Sequence, residues 1–198
     1  KAIAQPIHLL FLSQPGAEKT VSHPRVLMVL EDNAEATVVE TYAGSEGVYF
    51  TNAVTEVVLG QDAKLDRCKL QQESREAFHI ATLQVHLDAR AVFVSHSAAI
   101  GSKLTRNDLN VRLAGERADA TLNGLVLASG NQHIDNHTLL DHAAPNCASH
   151  ELYKHVLTDK ATGVFKGKIF VQQSAQKTDA KQTSKSLLLS DDATMNSK

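Results

Sequence analysis

Short apolar alternations recur along this chain, while helical periodicity is poor almost everywhere. The clearest runs are Val26 to Leu30, Thr37 to Val39, Val54 to Leu59, Ile80 to Leu87, Ala91 to Val94, Leu109 to Leu113, Leu122 to Leu127 and Gly163 to Val171. They are rich in β-branched residues and separated by Gly, Asn, Asp or Ser, a pattern that predicts strands. Gln61 to Phe78 stands apart. Its Lys, Glu, Gln and Arg suit either an exposed helix or a polar-faced strand and turn, and the pattern leaves both open.

The strands also repeat at long period. Val57-Val58-Leu59, Val85-His86-Leu87 and Val111-Arg112-Leu113 follow one another at steps of about 28 and about 26 residues, in the range of stacked repeats. Small residues beside a charge or amide follow each triplet, as in Gln61-Asp62-Ala63, Asp88-Ala89 and Arg117-Ala118. The register extends to Leu139-Leu140-Asp141 with Asn146-Cys147-Ala148, and to Ile169-Phe170-Val171 with Ser174-Ala175. Alanine at a corner with aliphatics facing inward is what a β-coil needs, because each rung lies about 4.8 Å above the last.

Propeller blades need about 40 or more residues per repeat, and left-handed hexapeptide coils need an aliphatic–Gly register every six; the chain has neither pattern. Pro is missing from Arg25 to Ala144, as expected where most backbone N–H groups enter ladders. The expected fold is all-β, a right-handed parallel β-helix of roughly six or seven rungs. An antiparallel sandwich is the structural alternative.

Composition narrows the field. Only 5% of the 198 residues are aromatic and none is Trp, so the core rests on Val, Leu, Ile and Ala, which suits a narrow solenoid. A net charge of −2 gives no electrostatic reason to expect nucleic acid or an anionic membrane. Ile7 to Leu12 is too short for a secretory core or a membrane span, so a soluble, cytoplasmic protein is expected. Cys68 and Cys147 match no metal-binding spacing and cannot supply four thiolates; reduced thiols are expected rather than a disulfide.

Candidate chemistry centres on histidine. His133, His137, His142, His150 and His155 fall in one stretch, and His133 with His137 has an i, i+4 spacing that a helix could offer to a metal. On a strand the same pair lies about 13 Å apart, too far to share an ion. Structural histidines are therefore favoured. No P-loop or G-x-S-x-G motif occurs, and Ser95-His96-Ser97 reads as a polar outward edge. Scattered carboxylates admit a carbohydrate-active β-helix enzyme, lyase or hydrolase, although the chain has only three Tyr and no Trp to stack on sugars.

A many-point pattern begins at His133. His133-Ile134-Asp135-Asn136, Thr138, Asp141-His142, Pro145, Ser149 and Glu151-Leu152-Tyr153-Lys154 resemble the shared core of the SufB/SufD family of iron–sulfur cluster assembly proteins. So do Gly163-Val164-Phe165, Gly167-Lys168-Ile169, Val171, Ala175-Gln176-Lys177-Thr178, Gln182 and Leu187-Leu188-Leu189-Ser190, and the overall look is nearer SufD than SufB. The resemblance implies a β-helix core in a non-catalytic subunit of a SufB–SufC–SufD complex. There a SufC-like ATPase and a SufB-like subunit would be the partners, and SufD would support cluster assembly and iron acquisition. It implies no cofactor held by this chain alone, the cluster being handled by the complex.

Residues 1–198 are thus expected to form one core domain, a fragment of a longer chain whose terminal helical domains, Cys-x-His-Gly-Ala-Thr motif and SufC-binding helices lie outside it. Lys177 to Ser197 has the composition of a disordered tail, but Leu187-Leu188-Leu189 argues for another rung or a partner-facing strand. Gln182, Leu187, Leu188, Leu189 and Ser190 are accordingly the candidate partner interface, with a homodimer as a further outcome.

Overall fold

The computed structural model describes residues 2–16 and 19–198; of the expected domain, Lys1, Ala17 and Glu18 lie outside the described residues. The chain opens with β1 (Ile7–Ser13), β2 (Thr20–Ser22), β3 (Arg25–Leu30), β4 (Glu35–Gly44) and β5 (Tyr49–Leu59). β6 (Lys64–Gln72), β7 (Phe78–Leu87), β8 (Val92–Ala99), β9 (Leu104–Leu113) and β10 (Asp119–Ala128) follow. β11 (His133–His142), β12 (Ala148–Leu157), β13 (Thr162–Val171), β14 (Asp179–Leu188) and β15 (Thr194–Ser197) complete it. From β3 onward successive strands alternate between two sheets, and every pairing is parallel. Sheet A runs β1-β4-β6-β8-β10-β12-β14, and sheet B runs β15-β13-β11-β9-β7-β5-β2 with β3 also on β5. The result is a β-helix of about seven turns, not a sandwich of antiparallel strands.

The stack follows the repeat read from sequence. Val57, Val85 and Val111 pair directly, as do Leu59, Leu87 and Leu113, and all six are buried. The next rung differs by one residue from the expected register: Leu140 and His142, not Leu139 and Asp141, continue the two columns. The slip has a physical cause. His142 takes a leucine position at full burial by hydrogen bonding Nε2 to Ser149 Oγ at 2.9 Å, so a polar letter hides an inward site.

The corner column is Ala63, Ala91, Ala118 and Cys147, with Ala91 rather than Ala89 in the second place. Each of these carbonyls accepts the amide of a residue one turn on, Val92, Asp119, Ala148 and Asp179 respectively, at 2.9 to 3.1 Å. The residue before each, Asp62, Arg90, Arg117 and Asn146, sits at φ 58 to 62°, in the left-handed region that turns the chain between sheets. Cys147 thereby acts as a small buried corner residue.

Gln61 to Phe78 contains no helix. It is the strand β6 and a turn, and its inward positions carry Arg67, Lys69 and Gln71. Nor is Lys177 to Ser197 a disordered tail, since β14 and β15 add a further rung there.

Candidate functional site

The polar interior of β6 leads to the most unusual feature of the molecule. Arg67 donates from Nε and Nη2 to both carboxylate oxygens of Glu40 at 2.7 and 2.8 Å, and from Nη1 to Ser95 Oγ at 3.3 Å. The side chains are 4% and 0% exposed, so this is a fully desolvated ion pair. Burial works to raise the Glu40 carboxyl, but the Arg67 guanidinium outweighs it and holds the group below the ordinary carboxylate value. Ser95 therefore faces inward, and of Ser95-His96-Ser97 only His96 is an exposed outward residue.

A second cluster adjoins it. Lys69 Nζ contacts His79 Nε2 at 2.9 Å and donates to Asn107 Oδ1 at 2.7 Å, and Asn107 donates on to Asn136 Oδ1 at 3.0 Å. His79 Nδ1 lies 2.7 Å from Glu73 Oε2, whose other oxygen accepts from Thr51 Oγ1 at 2.6 Å. Burial, reinforced by Arg67, pushes the Lys69 ammonium down to about 7, and burial with the Lys69 charge pushes His79 down to about 4. A neutral His79 that accepts from Lys69 at Nε2 and presents N–H to Glu73 at Nδ1 fits both contacts. The adjoining cavity, lined by Tyr42, Thr55, Arg67, Lys69 and Asn107 among others, is about 20 Å³, room for a water and not for a substrate.

In the C-terminal turns the interior is polar but less well paired. Neither carboxylate oxygen of Glu151 and neither ring nitrogen of His155 makes a well-formed hydrogen bond among the described residues, although both side chains are buried. Burial pushes Glu151 up to about 7 and His155 down to about 4, so each is driven toward its neutral form.

His133 and His137 both lie on β11 with half-buried side chains, and the strand separates them by about 13 Å. His137 Nε2 is 3.0 Å from Asp135 Oδ1, and its Nδ1 is 3.1 Å from Arg106 Nη2. No group of three or more His, Cys, Asp or Glu side chains among the described residues could hold a metal ion together. Arg106 also bridges the carboxylates of Asp108 and Asp135, at 2.7 to 2.9 Å. That clamp ties up one pair of carboxylates on adjacent rungs, and no Phe or Tyr is among the residues that line the groove beside it.

Cys68 is on the outer face of β6 and Cys147 is in a buried corner three rungs further on, about 14 Å along the axis. The two thiols share no site. Leu187 and Leu188 end β14, the last strand of sheet A, which also carries Gln182; Leu189 and Ser190 follow it, and the three leucines are 54, 45 and 59% exposed. Gln182 lays its carboxamide against Gly167, over the buried Glu151. The sequence pattern did not single out the interior set Glu40, Arg67, Lys69, Glu73 and His79, and it carried Glu151 only within the run that resembles the family. The signal was present in the strict alternation Arg67, Lys69, Gln71 within a strand-length segment.

Fold and interior together define a class: a parallel β-helix core whose interior carries buried, paired charge among its aliphatic columns. The chain belongs to the SufBD family of iron–sulfur cluster assembly proteins, matching the model described as "SUF system FeS cluster assembly, SufBD core domain" over residues 11–198. It is 32% identical to an iron–sulfur cluster assembly SufBD family protein of Synechocystis over 205 residues, 99% of this chain and 45% of that protein. It is 32% identical to the iron–sulfur cluster assembly protein SufD of Escherichia coli over 189 residues, 94% of this chain and 45% of that one. It is 34% identical to the chloroplastic protein ABCI7 of Arabidopsis thaliana over 206 residues, 99% of this chain and 43% of that one. The chain thus spans less than half the length of these relatives.

Proposed function

We propose that this chain is the β-helix core of a SufD-type subunit that acts in a SufB–SufC–SufD assembly without catalysing a reaction of its own. The observation that carries the reading is the family match across residues 11–198, joined to the identity with a protein named SufD. In this reading a SufB-like subunit meets the terminal turns at Gln182, Leu187, Leu188, Leu189 and Ser190. A SufC-like ABC-type ATPase binds helical parts of the protein outside these residues. The subunit supports cluster assembly and iron acquisition, with the cluster as cargo of the complex rather than a cofactor of this core. A cytoplasmic setting suits its two free thiols.

Co-purification of the full-length protein with its SufB-like and SufC-like partners under reducing conditions tests the proposal. A stable complex is expected. Absence of any complex would sink the scaffold reading, and a homodimer alone would replace the SufB-like partner with a second copy.

A further inference from the structure

The formal charge of −2 conceals a strong asymmetry along the solenoid axis. Residues 1–153 hold twelve basic and eighteen acidic side chains, whereas residues 154–198 hold eight lysines and four aspartates. The fold gathers these lysines around the last turns. Lys154 and Lys185 are direct Cα partners on the outer face of sheet A, and Lys166 and Lys168 alternate with inward Phe165, Gly167 and Ile169 on sheet B. Lys160 and Lys177 occupy the two corners between those strands, so every side of the rim carries a cation. None of these six makes an ion pair among the described residues. Two of the four aspartates are already engaged, Asp159 accepting from the Gly130 amide at 2.8 Å and Asp179 lying 3.4 Å from Lys181.

Stacked like charges destabilise a strand pair, and no ion pair among the described residues relieves Lys154 against Lys185. The same rim exposes Phe170 and Leu187 on its outer face, an apolar surface set among cations. We infer that the outer rim of the last two turns is a docking surface for a partner whose apposed edge carries carboxylates. The inference rests on the partner-interface reading above and adds the partner's chemistry: apolar contact supplies area, and the lysines steer encounter and reject basic edges. Because these side chains point outward, the surface survives any further rung stacked on β14.

The test measures association of the full-length protein with an immobilised full-length SufB-like subunit, over NaCl from about 50 to about 500 mM, a range that shortens the Debye length from about 14 to about 4 Å. The on-rate is expected to fall roughly tenfold or more across that range. The triple variant K166E/K168E/K185E is expected to lose about tenfold in on-rate at low salt with a much smaller change in off-rate, while Arg25→Glu at the opposite end leaves the on-rate unchanged. Far-UV circular dichroism and the melting midpoint verify that each variant is folded. A complex that forms with a salt-independent on-rate, equal for wild type and triple variant, overturns the inference and leaves the lysines as guards against edge aggregation only. No association at any salt rejects the underlying interface reading instead, and the docking partner with it.

Discussion

Replacing Arg67 by methionine removes the guanidinium from Glu40 and keeps most of the side-chain volume. The carboxylate left behind is 0% exposed and loses two hydrogen bonds of 2.7 and 2.8 Å, so the cost belongs to an uncompensated buried charge rather than to a lost surface contact. Breaking one partner of such a pair costs about 3–5 kcal/mol. For a domain of this size that corresponds to a fall in Tm of roughly 6–20 °C. Adding Glu40→Leu removes the orphan charge and is expected to restore most of the loss, because a well-packed apolar pair can replace a buried ion pair at little net cost. Acid provides an independent signature. In the wild type Glu40 is held below its ordinary value, so its contribution is present above the unfolded carboxylate pKa and is lost as pH falls through the folded one. In the Arg67→Met variant burial is opposed only by the Lys69 charge and the Tyr42 hydroxyl, the folded pKa rises, and the deficit relative to wild type measured at the same pH should shrink as pH falls from about 8 to about 5. Urea unfolding followed by circular dichroism at both pH values reads these quantities. A single variant within about 1 kcal/mol of wild type, or a double variant as damaged as the single, would refute the reasoning.

Glu151, raised to about 7 by burial, favours folding while it is protonated; between an unfolded value near 4.5 and about 7 stability falls with rising pH, by about 3 kcal/mol in all. Glu151→Gln should abolish that slope in urea unfolding at pH about 5 and about 8, and an unchanged slope would assign it to another group. At Gly115 an added Cβ would land on the backbone nitrogen of Ala89 in the adjacent turn, so Gly115→Ala should cost about 1–3 kcal/mol, whereas Gly16→Ala, with open space around it, should be nearly neutral. Arg117, exposed at φ 62°, should gain up to about 1 kcal/mol as glycine and lose stability as valine; the same sign for both substitutions in thermal melts would contradict the left-handed corner.

The order of residues alone carries the long period and the aliphatic columns and favours parallel strands over an antiparallel sandwich, because identical positions must pile up in a stacked coil and only small or branched apolar residues fit its interior. Val57, Val85 and Val111 announce the register without any structure. Legibility failed where inward positions are polar. Arg67, Lys69 and Gln71 on β6, and Asn136, Thr138 and His142 on β11, alternate as strictly as any leucine, but they read as surface until the adjacent turn of the same sheet supplies Glu40 and the facing sheet supplies Asn107 and Ser149. The candidate rim was partly legible through Leu187-Leu188-Leu189, while its charge was invisible in a total of −2. Only the tertiary structure could decide that. Coiling lays residues about 28 apart in sequence within one strand spacing of each other, so ion pairs, buried carboxyls and lysine rims are properties of neighbouring turns and not of neighbouring letters.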